Sequence, residues 1–568
     1  MNRIPLSLLV GLAVMALAWL VPNHYLPWLA FHGEVVAAVG FAILGIAALG
    51  SGIGPVAWPR LAILALLLAT VPLLQAWAGR VFFWGDAWMA TLYLLGFALA
   101  VVVGHRLARR HDPQMVLSML WLAVLAAAIL SVGVALCQWL GIPLGLLGAD
   151  MRTGGRPYAN LAQPNQLSTL LAMGLVAAVA LAQQGKMGAV GLGMAGTFLI
   201  VGVAMTGSRS GWLQLGGLTL WLLVMHGRAR LEVPRRVALL MPMVFVAAML
   251  AWSPLSKALL ISGGRSGVEQ ARAGTRPIHW ASMVDAISRE PLLGYGWNQV
   301  SVAQARVATA HAGSAEMIEH SHNLVLDLLV WNGIPLGILV IGALAWWLWR
   351  QVRACRDGQV ALLLAGVGVV LVHAMLEFPL EYAYFLLPVG LMMGLAQALS
   401  STDGTVSLPR WLTALPATAA LVLLTWMTLE YVQLEETHRL RRFAAARIGD
   451  PGAGDSAPLP VLLTQQRAFL EFARKQAGRG LTTQELDDMR RVAERYGYPP
   501  VLLRFALAAA LNGRPDEAAA TLERLCKTHP LARCREGEAA WETAAQEQYP
   551  ELRAVPFPPI PASRTQAR

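Results

Sequence analysis

Residues Met115–Leu140 read Met-Val-Leu-Ser-Met-Leu-Trp-Leu-Ala-Val-Leu-Ala-Ala-Ala-Ile-Leu-Ser-Val-Gly-Val-Ala-Leu-Cys-Gln-Trp-Leu, without one Asp, Glu, Lys or Arg. A helix needs about 20 consecutive apolar residues to cross a bilayer, and this run exceeds that. A helix also satisfies its own backbone polar groups, which lipid does not. Outward from this stretch the same pattern recurs near 6–22, 35–53, 60–78, 87–104, 166–183, 188–205, 211–226, 237–254, 323–348, 360–376, 383–399 and 411–430. The expected fold is therefore all-α, a polytopic transmembrane helix bundle of about 13 spans. Leu6–Val21 behind Arg3 has the outline of a signal peptide, but further spans follow it, and it reads as the first anchor.

The composition agrees. Of 568 residues, 56% are apolar and only 14% are charged, against about 25% charged in a soluble domain. The formal net charge of +11 raises the question of nucleic acid. Much of the surplus, however, sits in short loops between apolar runs, where it orients helices, and no nucleic-acid partner is expected. Arg106, Arg109, Arg110, Lys186, Arg228, Arg230, Arg235, Arg236, Arg350, Arg353 and Arg356 fall in one set of loops; Arg80, Arg152, Arg156 and Arg209 fall in the other. The richer set should face the cytoplasm. This places the N-terminus inside and, with an odd number of spans, the C-terminal region outside. The expected location is a bacterial inner membrane, multi-pass, with the site facing the periplasm.

Two outer segments are more than connectors. Residues 256–321 form a long polar loop, and loops of this length carry function or are disordered. After Tyr431 the chain becomes charged, with helix-like stretches at Leu459–Ala477 and Thr483–Tyr496. Val501–His529 reads as a helical hairpin turning at Asn512-Gly513-Arg514-Pro515, similar to one tetratricopeptide unit. The division is a membrane bundle at 1–430 that includes the loop, and a small helical domain at 431–568 whose end, after Val555, is proline-rich and loose. Cys137 and Cys355 read as small hydrophobes. Cys526 and Cys534 are near neighbours in a polar region; an oxidising compartment would favour their pairing, which the sequence leaves open. Their spacing is not that of a zinc site.

The chemistry-bearing residues cluster at the outer ends of spans. Glu319-His320-Ser321-His322-Asn323-Leu324 lies where the long loop enters a span. Ionisable groups at that depth are costly and point to function, and histidine can take a proton from a hydroxyl near neutral pH. Asn323 would orient a ring or bind a sugar hydroxyl. The competing reading has His320 and His322 capping a helix. Arg209, in Thr206-Gly207-Ser208-Arg209-Ser210-Gly211, and Arg276, in Gly274-Thr275-Arg276-Pro277, suit a diphosphate, because guanidinium offers paired donors to its oxygens. Arg156-Pro157-Tyr158-Ala159-Asn160-Leu161-Ala162-Gln163-Pro164-Asn165-Gln166 is dense in amides that could hold sugar hydroxyls or merely cap a helix. His24 and Glu34 lie between the first two spans, and Glu377, Tyr382 and Tyr384 between two later ones. Glu377 is the carboxylate expected to hold a histidine or meet an arginine.

These stretches together resemble the bacterial protein O-oligosaccharyltransferases, the pilin-type glycosylation ligases, within a wider group that includes O-antigen ligases and polymerases. The matching segments are Pro22–Glu34, Gly155–Leu167, Thr206–Trp212, Glu319–Leu324 and His373–Leu387. The resemblance implies transfer of a glycan from undecaprenyl diphosphate to a protein such as a pilin, with no metal and no cofactor. It implies that His322 is the essential histidine, supported by His320 and Asn323, and that Arg209 and Arg276 engage the diphosphate. A glutamine, Gln163 or Gln166, and a tyrosine, Tyr382 or Tyr384, would be required; Arg156, Tyr158, Asn160, Asn165, His24 and Glu34 would line the glycan or acceptor. The sequence departs from its relatives near Trp331, where they often place a glutamate. The expected reaction is a single inverting displacement at the anomeric carbon, with His322 as base toward a Ser or Thr hydroxyl. The rival readings are an O-antigen ligase or polymerase with a sugar acceptor and, from another class, a membrane transporter.

Overall fold

A computed structural model describes residues 5–50, 54–151, 155–161, 163–259, 261, 274–400, 404–448 and 459–560. Part of the long loop and the end of the proline-rich tail lie outside the described residues. The chain is an all-α membrane protein. Among the described residues, eight helices are long and apolar enough to cross a membrane: Phe31–Leu49, the broken Arg60–Trp77, Trp84–Arg110, Pro113–Leu140, Pro164–Gln183, Arg235–Ala258, Leu324–Ala354 and Arg410–Ala444. The expected spans near 6–22, 188–205, 360–376 and 383–399 are apolar helices of fewer residues, Leu6–Leu20, Ala189–Met205, Gly358–Ala374 and Ala383–Leu399. The segment near 211–226 is the helix Arg209–Arg228.

The chain packs as two units. The first comprises residues 1–69, 92–272 and 342–428. Its centre is the helix Pro164–Gln183, in which every residue from Gln166 to Leu181 is buried. That helix is apolar nearly all round, as a helix enclosed by others must be. Glycines set the close crossings around it, as expected where helices pack without water. A Cβ on Gly174 would stand 2.5 Å from Ala128 Cβ, and one on Gly202 would stand 2.7 Å from Val132. Gly104 and Gly394 make the same kind of approach to the backbones of Leu391 and Val101. Val56–Pro59 pairs antiparallel with Thr405–Leu408, Val56 opposite Leu408. Trp58, buried within this pair opposite Val406, donates its indole N–H to Thr413 Oγ1 at 2.7 Å.

The second unit comprises residues 70–91, 273–341 and 429–568. By packing, then, the loop residues from 273 onward group with the C-terminal helices, although the sequence places them with the bundle. The core of those helices joins Leu486, Met489, Val492, Leu502, Phe505, Leu522, Leu525 and Trp541. Thr483–Arg495 opens on a capping box: Thr482 and Glu485 satisfy each other's backbone N–H groups. Pro499–Leu511 and Pro515–Thr528 form the helix-turn-helix expected at 501–529, with Gly513 in the left-handed region at the turn. The helix expected over 459–477 is shorter, Thr464–Arg474. The Glu430 carboxylate takes the N–H groups of Val461, Leu462 and Leu463 at 2.9–3.1 Å, which holds the preceding residues out of helix. The tail after Val555 is not wholly loose. Val555 accepts from Trp541 Nε1 at 3.2 Å, and Phe557 and Ile560 pack on the core, because they are the apolar residues in reach of it. Cys526 and Cys534 form a disulfide.

Candidate active site

The first unit holds the amide-rich segment. Pro164 starts the central helix, and the residues before it are pinned by side chains that sequence reading passed over. Gln138, inside an apolar span, accepts from the N–H groups of Tyr158 and Ala159 and donates to the carbonyls of Ala149 and Ala159. Ala159 is held in the left-handed region, φ 52°, which a residue with a Cβ adopts only under such constraint. Asn160 is 3% exposed. It donates to the carbonyls of Leu20 and Leu147 and accepts from Ala149 N–H, which engages both amide hydrogens and the oxygen. His24, placed at sequence level among glycan-binding residues, has its ring nitrogens 2.9 Å from the carbonyls of Leu29 and Asn160. Tyr158 OH donates to the Asp150 carbonyl. His24 and Asn160 thus tie the first loop to the amide segment.

Asn165 and Gln166 point deeper. Asn165 donates to Glu377 Oε1 at 3.0 Å and accepts from Ser208 Oγ at 2.7 Å. Glu377 therefore meets an amide here. Gln166, 2% exposed, accepts from Tyr384 OH at 2.8 Å. Tyr384 stacks on Tyr382, ring centroids 5.3 Å apart. Gln163 precedes the helix and is half-buried. Thr169 Oγ1 lies 2.8 Å from His373 Nδ1 and accepts from Gln214, which extends the polar cluster along the buried helix. Glu34 accepts from Trp28 Nε1 at 3.1 Å and from the Tyr93 hydroxyl.

Arg209 is the first residue of its helix, directly after Gly207 at φ 55° and the N-cap Ser208. The break is braced by Arg156, whose Nη1 donates to the Gly207 carbonyl at 3.2 Å. The Arg156 guanidinium is thereby brought to the glycine-serine break at which the Arg209 helix begins, beside the positive end of that helix.

The second unit holds the histidines and Arg276. His322 has φ 59°, a left-handed backbone at a residue with a ring. Such conformations persist where their surroundings enforce them and concentrate at functional sites. Here the enforcement is visible on both sides. Ser321 N–H donates to Asp327 Oδ1 at 2.7 Å, Ser321 O accepts from Trp280 Nε1 at 3.0 Å, and Ser321 Oγ donates to the Asn323 carbonyl. Asn323 Oδ1 accepts from the N–H groups of Val325 and Leu326 at 3.0 and 3.3 Å. The asparagine thus caps the helix start, a task the competing sequence reading gave to the histidines. The His322 ring stacks with His279, centroids 6.5 Å apart. His279 Nε2 lies 3.1 Å from Glu316 Oε2, which also accepts from Thr275 Oγ1 at 2.7 Å. Arg276 opens the helix Arg276–Arg289 next to that threonine.

The helix that follows His322 is gripped further along. Gly333, φ 71° and ψ 178°, interrupts Leu324–Ala354, and a Cβ there would lie 2.5 Å from the Leu292 carbonyl. Tyr295 and Gly296 N–H groups donate to the carbonyls of Val330 and Trp331. Trp331 is buried and stacks on Trp297.

Three regions of the chain match known families: residues 157–182 match protein glycosylation ligase, residues 194–341 match O-antigen ligase, and residues 361–544 match the C-terminal part of a virulence factor membrane-bound polymerase. The chain is 25% identical to the ComP-specific O-oligosaccharyltransferase of Acinetobacter baylyi over 390 residues, 68% of this chain and 70% of that protein. It is 30% identical to the general O-oligosaccharyltransferase of the same organism over 533 residues, 92% of each chain. The chain belongs to the bacterial protein O-oligosaccharyltransferases.

In this oligosaccharyltransferase two groups of the histidine loop titrate away from their ordinary range. Burial, with the charges of His322 and Arg495 adding to it, pushes His320 down to about 3. The hydrogen bond from His279 holds Glu316 down at about 2. Asp327, 3% exposed, takes the N–H of Ser321, the residue before His322. The sequence assigns this aspartate no role by itself, because a single acid in the first turn of a helix reads as ordinary dipole pairing. Gln138, Tyr93 and Thr169 were passed over for the same kind of reason: each is one polar residue within an apolar run.

Proposed function

We propose that this oligosaccharyltransferase moves a glycan en bloc from undecaprenyl diphosphate to Ser or Thr hydroxyls of periplasmic proteins such as pilins. The observation that carries the reading is His322, held left-handed between the Ser321 and Asn323 bonds. A ring fixed in that way is suited to one proton transfer. His322 accepts the hydroxyl proton as the oxygen forms its bond to the anomeric carbon. The bond from that carbon to the diphosphate breaks, and the configuration inverts. His320 is the lesser base, because a ring held near 3 would not retain the proton. Arg209 and Arg276 are assigned to the departing diphosphate, whose developing charge needs fixed cations. The site faces the periplasm of the inner membrane, and a disulfide at Cys526–Cys534 accords with an oxidising compartment.

The test is His322→Ala in cells that make the lipid-linked donor, with membrane level checked. The periplasmic acceptor should lose its added glycan mass. Full glycosylation by the variant removes His322 from the scheme, and a retained anomeric configuration in the product removes the single displacement. A second reading has support in the O-antigen ligase match, which spans Arg209, Arg276 and His322. Under it the acceptor is a sugar; glycan on lipopolysaccharide core, and none on protein, would select it.

A further inference from the structure

We infer that the C-terminal helices act as a positioning element for the His322 loop, setting the rate of transfer rather than only receiving the acceptor. The inference rests on the proposed role of His322. The loop that leads to His322 is held along its length by residues beyond 490. Arg306 Nε lies 3.8 Å from Glu494 Oε2. Lys527 Nζ donates to the Thr309 carbonyl at 2.5 Å, and the Lys527 carbonyl accepts from Ala315 N–H at 3.0 Å. Tyr498 OH reaches Glu319 Oε1 at 3.5 Å. Beside it, Gly497 packs on Met317: an added Cβ would lie in ordinary contact, 3.6 Å from Met317 Cγ.

These attachments bracket the residues that shape the histidine turn. Ala315 precedes Glu316, whose carboxylate holds His279 against the His322 ring. Glu319 precedes His320, Ser321 and His322. The attachment points are themselves fixed. Lys527 sits within the Cys526–Cys534 disulfide loop and pairs with Glu523 at 3.1 Å. His529 Nε2 lies 2.7 Å from the Gly497 carbonyl, which links the lysine end of the C-terminal helices to the tyrosine end. Arg495, two positions before Gly497, forms a bidentate bond with buried Asp86 at 3.1 and 3.2 Å. Small displacements of a catalytic group cost rate steeply, while leaving acceptor affinity alone.

The test uses the full-length protein in detergent with the lipid-linked donor and two acceptors, a folded acceptor protein and a short peptide that carries its modified hydroxyl. Lys527→Ala and the near-isosteric Tyr498→Phe should each lower kcat about tenfold for both acceptors, with KM changed less than about twofold. Lys527→Arg should restore most of the rate. A raised KM for the folded acceptor with unchanged peptide kinetics would make the region a receptor and overturn the inference. So would unchanged kcat in both variants. Should Lys527→Ala not fold, Tyr498→Phe still decides. If the unaltered protein transfers only to a sugar acceptor, the proposed acceptor is wrong, and the same kcat comparison on that sugar decides the inference by itself.

Discussion

At the scale of residues, His322 separates two quantities that are usually lost together. A left-handed backbone costs a residue with a Cβ about 1–2 kcal/mol, and glycine escapes that cost. His322→Gly and His322→Ala should be equally inactive, yet the glycine variant should be more stable by about 1 kcal/mol in thermal or denaturant unfolding. Asp327 yields a second contrast. Replacing it with leucine strands the buried Ser321 N–H and should cost about 1–3 kcal/mol; asparagine keeps an acceptor and should cost less. Equal stability of the two variants would remove Asp327 from the support of the turn. His320 gives a pH dependence. Its pKa falls from the ordinary 6.5 to about 3 on folding, so between those values the unfolded chain binds more protons than the folded one. Stability is then fully present above pH 6.5 and declines as pH falls toward 3. Glu316, held at about 2 against an ordinary 4.5, adds loss of the same sign at the lower end of that window. His320→Gln should lessen the fall in melting temperature between pH 6.5 and 5 relative to the unaltered protein. Residue type showed that His322 was chemically apt. It could not show the backbone angle, which is set by bonds among Ser321, Asp327 and the more distant Trp280.

At the scale of elements, the helices were legible because apolar length is written directly in sequence, whereas their interruptions were less so. Gly333 reads as one glycine in an apolar run, yet its positive φ and its approach to Leu292 break the helix that starts at Leu324. Gly333→Ala should destabilise the protein by about 2 kcal/mol or more. Gly342→Ala, in the same helix with nothing within 4 Å of an added Cβ, should be neutral or slightly stabilising. Matched thermal melts of the two variants check this, and equal losses would refute the role given to Gly333. The amide segment taught the opposite lesson. Amides suit sugars and backbones equally, so sequence could not tell that Asn160 is committed to Leu20, Leu147 and Ala149 while Asn165 is aimed at Glu377 and Ser208.

At the scale of the molecule, the grouping of residues 273–341 with the C-terminal helices was hidden, because it depends on contacts between segments more than a hundred positions apart. The loop charges and the disulfide lead to a topology that can be measured. A cysteine at exposed Ala310 should react with a membrane-impermeant maleimide in intact spheroplasts; labelling only after lysis would reverse the assigned orientation. The bond between Ala315 and Lys527 also orders events in time. His322 leaves the ribosome long before Lys527 is made. On the proposed role of His322, a nascent chain therefore carries the base without the bonds that hold its loop. On that proposal, transfer waits until the C-terminal helices have been made, so the order of synthesis itself sets when the enzyme becomes competent.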